Sequence, residues 1–256
     1  MTADNGKTVV SRNEIERLGQ KAAESAGCAP GIDIEAGLAA GWLETRGLHG
    51  ARLLAGAVAA VAEDNAPWSV PATAAGGGPV DLSGAPAILA GGPLVDLAVA
   101  RAARDTGGEA VLDIRNCTGP IGLVPSAAAQ AARGFGFLLE GSDGSGGWWR
   151  LLAAPAGDLR LEASGPESLG ADRLVGPGAA TIRCRRGRAC DEAEDRAPAG
   201  VVLEGAELAR RAAAALDRGV EADAAAMARL AAQARMVLVP ATEESRQGAG
   251  FGGAED

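Results

Sequence analysis

The chain has one histidine, His49, no tyrosine, and aromatic residues at only 3% of its 256 positions. A single imidazole excludes a paired-histidine metal site, a His-x-x-x-His helix and any relay through two imidazoles. With so few aromatics, a hydrophobic share of 47% must build its core from Ala, Leu and Val. Basic charge is also short: Lys and Arg number 24 against 33 Asp and Glu, a net charge of −9. Nucleic acid and anionic membrane repel such a chain at long range, so neither is an expected partner. No uninterrupted apolar run reaches about 18 residues, so no membrane span is expected. The start, Met1 to Lys7, is polar and lacks the apolar stretch of a secretory signal, which points to a cytoplasmic protein. Cys28, Cys117, Cys184 and Cys190 form no C-x-x-C pair. A zinc site is not expected from them. A cytoplasmic chain keeps such thiols free, although Cys184 and Cys190 flank a turn that a disulfide could close.

Glycine and proline are abundant, at 38 and 13 residues, and the length suffices for one α/β domain or two smaller ones. Residues 1–10 read as a flexible lead-in. Ser11 followed by Glu14 is a capping-box pattern. Ile15, Leu18, Ala22 and Ala26 then recur at helical spacing, and Gly27 stops the helix. Asp33 is placed to cap a second helix through Ile34, Leu38 and Trp42. A third helical run covers residues 50–62, so residues 1–62 form an N-terminal helical unit. Between 63 and 93, proline and glycine, including Gly91-Gly92-Pro93, punctuate loops and short strands. A helix from Leu94 to Arg104, a strand Ala110–Ile114, a helix Pro125–Arg133 and a strand from Gly134 to Leu139 predict one βαβ-like unit. Trp148–Leu152 and Leu159–Ala163 predict a hairpin, and Thr181–Cys184 a further strand. Helices are predicted at 205–218 and 221–235. Residues 63–246 thus read as a mixed α/β sheet domain with C-terminal helices, and the Gly-rich tail 247–256 as disordered.

Two neighbourhoods carry candidate chemistry. His49 lies between Leu48 and Gly50, with Arg46 and Arg52 nearby. An imidazole titrates near neutrality and suits proton exchange with a carbonyl or hydroxyl; the arginines would hold a carboxylate in a two-pronged grip. The plain alternative is a surface histidine at a helix boundary. Arg115-Asn116 follows a strand, where ligand groups gather in α/β sheets. Asn116 would bind a carbonyl, Arg115 an acid, and Thr118-Gly119-Pro120-Ile121-Gly122 would admit a ligand to the backbone; an ordinary strand-to-helix loop is the alternative. The run Arg183-Cys184-Arg185-Arg186-Gly187-Arg188 is an anion site or a solvated turn neutralised by the acids at 191–195. No phosphate-loop signature occurs, and Gly134-x-Gly136 lacks the third glycine of a Rossmann fingerprint.

These residues bring out a resemblance. Arg46-Gly47-Leu48-His49-Gly50 resembles the Arg-Gly…Ser-His-Gly motif of the type 2 malate/L-lactate dehydrogenase family, whose histidine carries the catalytic proton. Pro79-Val80-Asp81-Leu82-Ser83-Gly84 resembles that family's Val-Asp-Gly stretch. Val111–Cys117 resembles its strand ending in Val-Arg-Asn-Ser, and Val239-Pro240-Ala241-Thr242-Glu243 its late Pro-Gly-Glu segment. The ending Val-Pro-Ala-Thr-Glu-x-Ser-Arg-x-x-Gly-Ala-Gly is similar to an uncharacterised bacterial domain-of-unknown-function branch. The resemblance implies a divergent, shortened relative: an α/β fold with a mixed sheet flanked by helices, not a Rossmann domain, in a homodimer.

The chain also departs from the family. Two residues are missing before His49, and Leu48 replaces the serine; on a helix that deletion would turn a side chain by about 200°. The second histidine of the family motif is absent, as is its nicotinamide-holding Gly-Thr-Asn-Pro segment, whose place holds Gly141–Gly147 and Trp148-Trp149. The expectation is a dehydrogenase-like protein that has lost or changed hydride transfer and acts as a small-carboxylate-binding or accessory protein. The alternatives are a divergent NAD(P)-dependent oxidoreductase, using NAD or NADP with a 2-hydroxy or 2-oxo acid or a cyclic imino acid, and a subunit of a larger enzyme assembly. In the oxidoreductase, His49 would donate the proton while Arg46 and Arg115 grip the carboxylate.

Overall fold

The structure, a computed structural model, describes residues 6–64, 78–143, 145–190 and 198–237. Helix α1 (Arg12–Ser25) starts where the capping pattern places it, with Ser11 Oγ accepting the Glu14 N–H at 3.1 Å. Helix α2 (Ile32–Glu44) is capped differently from expectation. Its first boundary residue is Gly31, at φ 98°, and Asp33 reaches back from inside the first turn to accept the Gly31 N–H at 2.8 Å. Helix α3 (Gly50–Asp64) follows a short turn. The small residues let these helices approach closely: a Cβ on Gly37 would lie 2.9 Å from the Gln20 amide of α1. Backbone contact of this kind takes the place of the missing aromatic bulk.

The lead-in is structured rather than flexible. Lys7–Val10 form strand β1, which pairs antiparallel with strand β9 (Val220–Asp223) near the other end of the chain. Four residues carry no periodic signal of their own; the partner strand orders them. The stretch 221–235 accordingly splits. Its first residues belong to β9, and helix α8 (Ala224–Ala234) begins where Asp223 accepts the Ala226 N–H at 2.8 Å. Helix α8 packs against α1 and α3, joining the N-terminal helices.

The main sheet contains β2 (Val80–Asp81), β3 (Glu109–Thr118), β4 (Phe135–Ser142), β5 (Trp148–Ala153), β6 (Leu159–Ala163), β7 (Pro177–Arg186) and β8 (Val201–Glu204). Their spatial order is β2-β3-β7-β4-β5-β6-β8. The β5–β6 hairpin forms as predicted. The strands of the expected βαβ-like unit, β3 and β4, do not pair; both run antiparallel to β7 between them. The adjacent parallel pair is β2 and β3, joined through helix α4 (Ala87–Arg104). That helix begins before Leu94 and runs straight through Gly91-Gly92-Pro93. The glycines there serve packing, not termination. Gly91 faces the Gly122 carbonyl and Ser126 Oγ, and a Cβ on Gly122 would lie 2.6 Å from the Ile88 backbone. Helix α7 (Gly205–Arg218) matches its predicted span.

Alternation along β3 buries Ala110, Leu112 and Ile114 and exposes Val111, Asp113 and Arg115. Helices α4 and α5 (Val124–Ala131) cover the buried side of the sheet, and the short α6 (Ala171–Val175) leads into β7. Strand register aligns Asp113, Thr181, Glu140, Arg150 and Glu162 in one row on the opposite face. Among the described residues no helix is long and apolar enough to cross a membrane.

Candidate functional site

His49 lies in the turn between α2 and α3, outside both helices. A helical rotation of about 200° therefore does not describe the effect of the shortened motif. The turn absorbs it: Gly47 takes φ 77° and His49 φ 55°. A left-handed histidine persists only where its surroundings over-determine it, and four contacts do so here. Leu48 is buried and its N–H donates to the Leu43 carbonyl at 2.9 Å. The buried Glu44 carboxylate accepts the Ala51 N–H at 2.7 Å. The Leu53 N–H donates to the His49 carbonyl at 3.0 Å, closing the first turn of α3. Gly50 packs on the Ala40 carbonyl, where a side chain has no room.

The imidazole borders a cavity of about 790 Å³, built from β1, the α2–α3 turn, α7 and β9. Its charged lining comprises five cations (Lys7, Arg52, Arg210, Arg211, Arg218) and three carboxylates (Glu44, Glu221, Asp223). Several of these cations are already held. Arg52 bonds Asp172 at 2.6 Å, Lys7 bonds Glu221 at 3.0 Å, and Arg210 and Arg211 share Glu207 at 2.7–2.8 Å. Those arginine bonds hold Glu207 down to about 2. Arg218 makes no ion pair among the described residues. Burial lowers the His49 pKa, and the nearby Arg52 and Lys7 charges lower it further, against weaker opposition from Asp223 and Asp172. The ring is therefore neutral at pH 7, with one donor and one acceptor nitrogen.

Of the arginines expected around His49, only Arg52 shares its cavity. Arg46 lies over the Trp42 ring at 3.9 Å and donates to the Trp42 carbonyl and Thr45 Oγ1. Burial and the Arg12 charge push its pKa down to about 10. Arg115 borders a different cavity of about 630 Å³ on the open sheet face, with Asp113, Glu140, Trp148 and Arg150. Asn116 does not follow the strand but bulges within it, at φ 51°. Its Nδ2 donates to Asp81 at 2.8 Å. Thr118 Oγ1 donates to the Gly84 carbonyl at 3.4 Å. Asn116 and Thr118 thus fasten β3 to the β2–α4 turn. Lys7, Arg211, Arg218 and Asp223 were not legible as site residues, because they come from the lead-in and from segments read as plain helix.

The basic run at 183–188 is partly neutralised from β3, where Glu109 pairs Arg183 at 3.8 Å and Arg185 at 3.0 Å. The acids at 191–195 lie outside the described residues, as do Val239–Glu243 and the tail. All four cysteines are free and buried. Burial raises Cys184 to about 12 and Cys190 to about 11.

Residues 10–81 match the model of a family described as a protein of unknown function (DUF3726). The whole fold is similar to a dehydrogenase from Sinorhizobium meliloti, at 16% identity and TM-score 0.62, over 89% of this chain and 99% of that one. It is similar to malate dehydrogenase from Pyrococcus horikoshii at 12% identity and TM-score 0.59, over 92% and 97% of the two chains. The fold is that of the malate/lactate dehydrogenases. A delta1-piperideine-2-carboxylate reductase from Pseudomonas syringae shares it at 12% identity and TM-score 0.50, over 88% and 99%. No curated protein matches the sequence. The expected α/β architecture, a mixed sheet flanked by helices, is the one observed. A nicotinamide dinucleotide would need cations for two phosphates. Here Arg52, Arg210 and Arg211 already pair with Asp172 and Glu207, so the cations of the His49 cavity do not fit a diphosphate.

Proposed function

We propose that the chain binds a small carboxylate, of the 2-oxo or 2-hydroxy acid class, in the His49 cavity, and works as a homodimeric binding or accessory protein without hydride transfer. One observation carries this reading: His49 borders one cavity with Arg218, a cation that makes no ion pair among the described residues. Arg218, unpaired among the described residues, supplies the charge for the acid, and the neutral imidazole a partner for the 2-oxygen. An anion beside His49 stabilises its protonated form, so binding takes up a proton and tightens as pH falls into the acid range where the ring, its pKa lowered by burial, begins to protonate. Titration calorimetry with 2-oxo and 2-hydroxy acids, against the matching amides, tests the idea. Arg218→Ala weakens the acid about tenfold, the share of one charged hydrogen bond. Equal heats for acids and amides would refute it.

The cavity is also roomy enough for a nicotinamide ring beside a small acid, which favours a second reading as a divergent NAD(P)-dependent oxidoreductase with His49 as proton donor. Saturable oxidation of NADH or NADPH with a 2-oxo acid or cyclic imine, lost in His49→Ala, would put this reading in place of the first.

A further inference from the structure

Helix α2 and the turn after it carry a stripe that the protein's own fold covers only in part, with Trp42 and Arg46 half-buried. Glu35, Leu38 and Trp42 recur at spacings of three and four, which places them on one face of α2, and Arg46, in the turn just past the helix, stacks back over Trp42. Leu38 is 47% exposed, and the neighbouring Ile34 is 48% exposed. The two ends of the stripe bear opposite charges, each without a counter-ion among the described residues. Glu35 is exposed and has Asp96, a like charge, nearby; partial burial and, less, that charge push its carboxyl pKa up. Arg12 and Arg133 border the same hollow but make no ion pair with it. At the other end, Arg46 bonds only a carbonyl and a hydroxyl, and its Nε is buried with no hydrogen-bond partner. Its charged neighbour is Arg12, which is itself bonded to Glu16 at 2.6 Å. One end of the face repels negative charge, the other repels positive charge, and an apolar middle separates them by roughly 16 Å along the helix.

We infer that α2 is the self-association surface of this protein: two copies pack their α2 helices antiparallel across a two-fold axis, so that Glu35 of each copy meets Arg46 of the other. An isologous contact requires a self-complementary patch, and this face is one. The midpoint of Glu35 and Arg46 falls between Ala40 and Gly41; the midpoint of Leu38 and Trp42 falls at Ala40. A single axis therefore satisfies both charge pairs and brings Leu38 of each copy to Trp42 of the other. A hollow of about 360 Å³ beside Leu38, bordered by Trp42, Pro125 and Ala129, offers room for the incoming apolar side chain. A foreign partner would need to supply this charge order by coincidence, whereas a second copy supplies it by symmetry.

The inference rests on the homodimer reading above and names the surface that makes it. Sedimentation velocity on the full chain tests both. The expected result is a species of twice the chain mass. Leu38→Asp removes it. Glu35→Lys and Arg46→Glu each weaken it by about tenfold, as for partly desolvated charge pairs. Both charge reversals in one chain restore it to within about threefold of wild type, because the order of charges is again complementary. Far-UV circular dichroism accompanies each variant, and recovery in the double variant is an outcome that misfolding does not produce. A monomeric wild type would overturn both readings. A dimer indifferent to all these variants would overturn the α2 surface and leave the homodimer standing. Weakened single variants without recovery in the double would overturn the antiparallel pairing.

Discussion

Replacing Glu44 separates two reasons for burying a carboxylate at a helix start. The side chain is 5% exposed and accepts the Ala51 N–H at 2.7 Å, at the N-terminus of α3. An anion there gains from the helix dipole, by up to about 2 kcal/mol in partly buried sites. Burial opposes ionisation, and it wins: the carboxyl pKa is raised, with desolvation the largest cause, Ala51 and Lys7 counteracting it and Asp223 adding to it. The sign follows from linkage. A carboxyl that binds its proton more tightly folded than unfolded stabilises the fold most at low pH. It loses that contribution as pH rises through its folded pKa. Glu44→Gln keeps an acceptor for Ala51 without the charge, so it should match wild type at pH 5 and equal or exceed it by up to about 1 kcal/mol at pH 7.5. Glu44→Ala orphans a buried N–H and removes a cap, at about 2 kcal/mol at either pH. Urea unfolding followed by circular dichroism at the two pH values measures both. If Gln loses as much as Ala at pH 7.5, the charge–dipole attraction dominates and the desolvation argument is wrong. Because Glu44 also sets the backbone of His49, Ala but not Gln should weaken acid binding.

Two further substitutions probe the packing. Gly122→Ala places a methyl 2.6 Å from the Ile88 backbone, whereas Gly92→Ala meets only the carboxylate of Glu35, which can swing away. Thermal unfolding should show the first losing about 3 kcal/mol and the second under about 1 kcal/mol. On the sheet, Glu162 is 1% exposed and pairs the buried Arg150 as well as Arg160. Glu162→Gln, by uncovering Arg150, should cost about 3–5 kcal/mol in urea unfolding. The double replacement Arg150→Met with Glu162→Leu should recover most of it, and equal losses in both would contradict the account.

The chain by itself determined the elements whose signal is local. The capping pattern at Ser11, the helix at 205–218 and the hairpin of Trp148–Leu152 with Leu159–Ala163 all rest on neighbours a few residues apart, and all are present. The resemblance carried by Arg46–Gly50 and Val111–Cys117 also led to the observed fold. Tertiary structure decided what depends on distant partners. Lys7–Val10 become a strand only because Val220–Asp223 lies alongside. Gly91-Gly92-Pro93 stays helical because Gly91 and Gly122 let α4 sit on the turn that follows β3. The same holds for the site. The oxidoreductase reading that the resemblance suggested put Arg46, Arg115 and His49 around one carboxylate, but stacking on Trp42 and the outward face of β3 draw the two arginines elsewhere. Besides Arg52 of α3, the cations that border the His49 cavity arrive from β1 and α7, at opposite ends of the chain. Hydrophobic periodicity says which side of an element is buried, not which element it is buried against, and a binding site is made of the second kind of information.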